Sequence, residues 1–218
     1  MTHSILTPDM LRVCNDIMEW ANSYLAADNE NIKRPKGSQA VCPFVRSSID
    51  NNTFLLAFHP EVNGKSEEHL EKLMLSYIET FKKTAPFRAG DTYKKTVLVV
   101  FPNISNDESY IMDLVHKMIK DKYVENDLMI GQFHPNCDDR GVYNRRFKVS
   151  IAPYCLYSIR QMALHDILFL RDKKEWFMTY NAKFGQKFKN GELEDFNNHL
   201  EEYYLMAKRK FDIKDTSK

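Results

Sequence analysis

Six consecutive residues, Thr96–Phe101 (TVLVVF), include three valines and show no alternation of apolar with polar side chains. A strand with one wet face alternates, so an unbroken run of this kind predicts a strand covered on both faces. Such a strand needs helices above and below it, and the rest of the chain is patterned to supply them. Thr7, Pro8 and Asp9 form a helix start, after which Met10, Val13, Cys14, Ile17, Ala21, Tyr24 and Leu25 recur at helical spacing. Ser66 caps a second helix with an apolar stripe of Leu70, Leu73, Met74, Tyr77, Ile78 and Phe81. Its solvent face is acidic early (Glu67, Glu68) and basic late (Lys82, Lys83), as the helix dipole favours.

Residues 53–58, after the Asp50-Asn51-Asn52 turn signal, and residues 128–133 read as two further strands. A fourth lies within 149–162, best placed at 155–160 beyond Pro153. Ser105 opens a third helix with Ile111, Leu114, Val115 and Met118 inward. Two helices end the chain: 163–181, and one with Leu193, Phe196, Leu200, Tyr203 and Ala207 on one face. Pro35 and Gly37 break the chain before a short apolar segment, 40–45, where Pro43 holds Cys42 extended. This order predicts an α/β fold, with α+β as the alternative: one mixed sheet of four or five strands covered by helices. The expected division of residues 1–218 is one domain: an N-terminal helix and linker (1–34), a core (35–170) and C-terminal helices (171–218) with a frayed tail.

Composition removes several function classes. Lys plus Arg is 31 and Asp plus Glu 30, a net charge of +1, which gives no footprint for nucleic acid or an anionic membrane. No apolar run approaches the roughly 20 residues of a membrane span. The first residues show no basic region followed by an apolar stretch, so a soluble cytoplasmic protein is expected. The four cysteines (14, 42, 137, 155) form no CxxC pair, which predicts reduced thiols rather than disulfides or a structural zinc site. The seven glycines stand apart, so there is no phosphate cradle, and GxSxG, HExxH and EF-hand patterns are missing.

Chemistry concentrates in residues 131–146, GQFHPNCDDRGVYNRR, a polar stretch between two apolar segments. His134 follows a strand and precedes Pro135, which suits a ring nitrogen presented to a metal or substrate. The same residue could instead pin the loop through Asp138 or Asp139. Cys137, Asp138 and Asp139 could join His134 at a metal, but neighbouring aspartates seldom converge, and 136–141 reads more simply as a capped turn. Arg145 and Arg146, with Arg140 and Arg160, could fork a substrate carboxylate or pair with the local aspartates. His59-Pro60 repeats the His-Pro arrangement and makes His59 a reserve ligand. Cys42 in Cys-Pro-Phe is either a thiolate ligand or a small buried apolar residue. His116 is expected in solvent, His165-Asp166 as a cap, and Trp176, Phe177 and Tyr180 as core.

Cys42-Pro43-Phe44 and the segment from Phe133 through His134, Pro135, Cys137, Asp138 and Gly141 to Asn144 resemble a bacterial family with Cys-Pro-Phe early and F-H-P-x-C-D-x-x-G-x-x-N later. The likeness spans residues 35–169. That family is in turn similar to the YqcI/YcgG group, some of whose members are heme-dependent oxygenases that N-hydroxylate arginine. The group lacks the charged loop 136–143 in this form. The resemblance implies a heme monooxygenase acting on an amino acid or related amine in specialised metabolism. His134 would be the heme-iron ligand, with Cys42 or His59 as alternatives, and Cys42 would line the same pocket. Arg145 or Arg146 would hold the substrate carboxylate, and an electron donor would be required. The alternatives are a non-heme enzyme using His134 and Asp138 as acid/base groups or metal ligands, and a non-catalytic partner of a biosynthetic enzyme. A homodimer is compatible with these readings.

Overall fold

A computed structural model describes residues 7–35, 37–87, 93–191, 193 and 198–213. It contains one four-stranded mixed sheet in the order β1-β2-β4-β3, formed by β1 (Phe54–Phe58), β2 (Thr96–Phe101), β3 (Leu128–Phe133) and β4 (Cys155–Gln161). β1 and β2 are parallel, and β4 runs antiparallel to both β2 and β3. Three strands therefore end on one side of the sheet, at Phe58, Phe101 and Phe133. The α/β expectation holds.

All six residues of β2 are buried, as their unbroken apolar character requires. One face of the sheet is covered by α3 (Glu67–Lys83) and α4 (Ile111–Glu125), which share a core with Val97, Val99, Ile130, Tyr157 and Ile159. The other face takes α1 (Pro8–Trp20), its continuation as a π-helix (Ala21–Leu25), and α2 (Pro43–Asp50). The helix starts follow their caps. The Met10 N–H donates to Thr7 Oγ1 at 3.3 Å, and the His69 N–H donates to Ser66 Oγ at 3.2 Å. Beyond β4, a single 3₁₀ turn leads into α5 (Ile167–Leu170), α6 (Lys174–Lys189) and α7 (Asn198–Lys210). These helices build a second apolar cluster against Val124 and Met129, beside β3. No helix among the described residues is long and apolar enough to cross a membrane.

Several expectations need correction. β1, whose apolar run reads as a buried strand, is half-buried along its whole length. Residues 106–110 are turns, and α4 starts only at Ile111. Its buried face is Ile111, Met112, Val115, Ile119 and Tyr123, while Leu114 and Met118 are exposed. The apolar segment at 40–45 becomes the start of a helix, with Cys42 extended at its N-cap and Pro43 in the first turn. The helix expected over 163–181 is divided among the 3₁₀ turn, α5 and α6. Phe196 and the last five residues of the tail lie outside the described residues.

Candidate functional site

The polar stretch between β3 and β4 is held in place by aromatic side chains of the N-terminal helices. Trp20 Nε1–H donates to the Ile151 carbonyl at 3.0 Å, and the Tyr24 hydroxyl donates to the Lys148 carbonyl at 2.7 Å. The Tyr154 hydroxyl donates to Asp16 at 2.6 Å. Within the stretch, His134-Pro135-Asn136-Cys137 forms a turn closed by the Cys137 N–H donating to the His134 carbonyl at 3.1 Å. Proline in second position presets the backbone for such a turn. The Asn136 side chain donates to the Asn106 carbonyl at 2.9 Å, fixing the turn against the start of α4.

The turn brings three donor atoms together. His134 and Cys137 meet Asp113 of α4, and one ligand atom from each lies within 4.8 Å of the others. His134 is 1% exposed and Cys137 fully buried. His134 Nε2 stands 3.3 Å from Asp113 Oδ2, close enough for an ion pair with a protonated ring but not in hydrogen-bonding geometry, so neither ring nitrogen has a hydrogen-bond partner. The other Asp113 oxygen accepts from the Gln132 amide at 3.2 Å, and the same amide donates to Asp139 at 3.0 Å. Burial pushes the Cys137 thiol up to about 11, although the Asp139 N–H and Ser150 hydroxyl work the other way. Burial, reinforced by the nearby Asp113 charge, also raises the Asp139 carboxyl.

On the far side of Gln132 and Asp139 lies a cleft of about 640 Å³ along the edge of β3, walled by the start of α2, loop 139–150 and the turn into α5. Eight lysines and arginines line it against three aspartates. The largely buried Arg160 guanidinium grips Asp166 through two contacts, 2.8 and 2.6 Å long, and lies over the Phe44 ring at 4.3 Å. Burial works against the Arg160 charge, but Asp166 outweighs it and raises the arginine's pKa. Arg34 is spent on the Ser38, Ala40 and Val41 carbonyls. By contrast, the Lys33, Lys117 and Arg145 side chains have no hydrogen-bond or ion-pair partner among the described residues. Apolar walls come from Leu25, Val41, Phe133, Val149 and Phe169.

The structure separates residues that were expected together. Cys42 lines the cleft beside Arg34 and Arg160, while His134 does not line it. Phe133 shares a cluster with Cys42 on one face of β3, and Gln132 meets Asp113 of α4 on the other; residues of both faces line the cleft, but the buried His134 ring lies behind Gln132, beside Asp113 and Cys137. The surroundings of His134 suit a single ion rather than a macrocycle, since Asp113 and Cys137 already crowd the buried ring. Arg145 lines the cleft and Arg146 does not. Asp138 turns outward to Arg140 and Lys148 at 2.5 and 2.9 Å. His59 is fully used, with Nδ1 at 2.6 Å from Glu61 and Nε2 at 2.6 Å from the Tyr77 hydroxyl.

His116, expected in solvent, is largely buried and donates through Nε2 to the Ile130 carbonyl at 3.1 Å. Burial, helped by Lys120, lowers its pKa to about 4 and keeps it neutral. Asp166 rather than His165 does the capping, accepting from the Ala163 N–H at 2.7 Å. Phe177 and Tyr180 are core, but Trp176 reaches the cleft and donates to Asp121 at 2.8 Å. Sequence reading overlooked Asp113, which lies on a helix remote in sequence. It named Cys137 beside His134 as a metal group but preferred a capped turn, although the His134-x-x-Cys137 gap is that of a metal knuckle.

The chain belongs to the DUF6875 family, a domain of unknown function, whose profile matches residues 14–195. The match takes in α1 from Cys14, the whole sheet, the polar turn and the cleft. No curated protein and no solved structure matches the chain.

Proposed function

We propose that the chain is a small-molecule enzyme whose cleft along β3 holds an anionic ligand. The observation that carries this reading is the sign of the cleft: eight cationic side chains against three aspartates, in a protein whose net charge is only +1. A charge excess on one concave, partly apolar surface of a nearly neutral protein is the mark of a ligand site rather than of a generally basic protein. A carboxylate suits the unpartnered Arg145, as the fork geometry of guanidinium prefers. A substrate with a cationic end, such as arginine, would have to place that end at Asp139 or Asp172. A panel of di- and tricarboxylates, inorganic phosphate and amino acids, assayed by thermal shift at low and high salt, tests the assignment. Stabilisation by carboxylates is expected, weakened about tenfold in affinity by Arg145→Ala and unchanged by Arg146→Ala. Equal effects of the two variants, or no response to any anion, would contradict it.

Heme is one planar dianion of this kind, and the oxygenase reading is carried by one specific feature, the Cys42 thiol opening onto the cleft from the N-cap of α2. The apolar walls would take the macrocycle, Lys33, Lys117 or Arg145 its propionates, and Cys42 the iron. A heme bound there would supply oxygen activation, with electrons from a separate donor. The chain's own part would be to supply the thiolate, orient the propionates and exclude water. Addition of hemin should give a Soret band that is lost in Cys42→Ser and kept in His134→Ala. Loss in His134→Ala alone would return the iron to the histidine, and no band with wild-type protein would end the heme reading.

A further inference from the structure

A buried imidazole with neither nitrogen partnered is costly unless something outside the chain completes it. His134 is in this position, 1% exposed and without a hydrogen bond at either nitrogen, its one charged neighbour being Asp113 at 3.3 Å. The groups around it are not a random polar set, since a carboxylate, an imidazole and a thiol converge within 4.8 Å. We propose that Asp113, His134 and Cys137 bind one divalent transition-metal ion of the zinc, cobalt or ferrous type, independently of any ligand in the cleft.

The donor chemistry selects the ion. A sulfur and an imidazole nitrogen favour a borderline metal over calcium or magnesium, which take oxygen ligands. A tetrahedral ion with bonds of roughly 2.0–2.3 Å sets its ligand atoms roughly 3.3–3.8 Å apart. The His134–Asp113 pair already stands at 3.3 Å, and the cysteine sulfur, within 4.8 Å of both, needs to close in by no more than about 1 Å. Charge also balances. One carboxylate and one thiolate neutralise a divalent ion, whereas a lone cation or a lone thiolate in this buried place would be strongly disfavoured.

The support around the ligands is that of a metal centre. The turn beginning at His134 fixes the His-x-x-Cys spacing, and Gln132 holds Asp113 through its second oxygen. Three protein ligands leave one coordination position open, and its natural direction is past Asp113, whose side chain is 38% exposed while that of His134 is 2% exposed. An open fourth position distinguishes reactive zinc-type sites from closed structural ones.

Cobalt titration of chelator-treated protein tests the site. One equivalent of Co²⁺ per chain should bind and give a thiolate-to-cobalt charge-transfer band in the near ultraviolet, and Zn²⁺ should displace it. Cys137→Ser should abolish the band. His134→Ala and Asp113→Asn should each weaken binding at least tenfold, and Gln132→Ala should weaken it about 10- to 100-fold. Asp138→Asn should bind as the wild type does. Circular dichroism of each metal-free variant establishes that it is folded, and Zn²⁺ should raise the Tm of wild-type protein but not of Cys137→Ser. Failure of folded wild-type protein to take up Co²⁺, or uptake with the same spectrum in Cys137→Ser, would overturn the proposal.

Discussion

The turns that follow β1 and β3 are built alike and finish differently. His59-Pro60-Glu61-Val62 and His134-Pro135-Asn136-Cys137 each begin one residue beyond a strand, at the same end of the sheet. In each, the fourth residue's N–H donates to the histidine carbonyl, at 3.2 and 3.1 Å respectively. The His59 ring is then completed by the chain itself, with Glu61 on one nitrogen, Tyr77 on the other and Phe101 stacked at 5.9 Å. The His134 ring has Asp113 and Cys137 close by but no hydrogen bond to either nitrogen. One backbone device therefore serves packing in one place and leaves a set of donors unclosed in the other.

Removing the two rings should separate these roles most strongly. His59→Ala deletes two hydrogen bonds and leaves the Tyr77 hydroxyl without its partner, a loss of about 2–3 kcal/mol in urea denaturation. In metal-free protein His134→Ala removes an unsatisfied polar ring, which offsets the cavity it leaves, so its change should stay within about 1 kcal/mol. Equal losses would show that both rings are structural. Tyr77→Phe sharpens the contrast at lower amplitude, costing about 1 kcal/mol with no effect on Co²⁺ uptake. Val62→Cys copies the His-x-x-Cys spacing into the first turn. It should still create no cobalt site, because both His59 nitrogens are occupied.

The smallest effect is electrostatic. Burial nudges the Glu61 carboxyl up, but the His59 hydrogen bond and charge outweigh it and hold the group below its ordinary range. A depressed carboxylate contributes stability that is complete above the usual glutamate pKa and is lost as pH falls through the lowered value. Wild-type Tm should therefore fall more steeply than that of Glu61→Gln between about pH 5 and about pH 3. The difference should be slight and should shrink in salt, since the Glu61 side chain is 59% exposed.

Much of the scaffold was legible because its signals are local. β3 and the core stripe of α3 follow the sequence pattern closely, with Leu70, Met74, Tyr77, Ile78 and Phe81 all buried. In α4 two apolar faces compete, since Ile111 and Val115 fit helical spacing with either Leu114 and Met118 or Met112 and Ile119. Only packing against the sheet chooses between them. The rule that Pro43 holds Cys42 extended was obeyed, yet it marked a helix N-cap rather than a break.

The site was less legible than the scaffold. The His134 turn stands out in sequence, but Asp113 reaches it from another element. The cleft is assembled from segments as distant as Arg34, Cys42, Lys120, Arg145 and Arg171, whose individual residues look like ordinary surface charge. Burial of the His134 ring beside Asp113 and Cys137 then kept it out of the cleft that Cys42 lines.

The contrast between the two turns is tested most directly by the metal content of zinc-loaded, desalted protein, compared for wild type, His59→Ala and His134→Ala. One zinc per chain in the wild type and in His59→Ala, with none in His134→Ala, is the result this account predicts. Equal zinc in all three proteins, or none in the folded wild type, would contradict it.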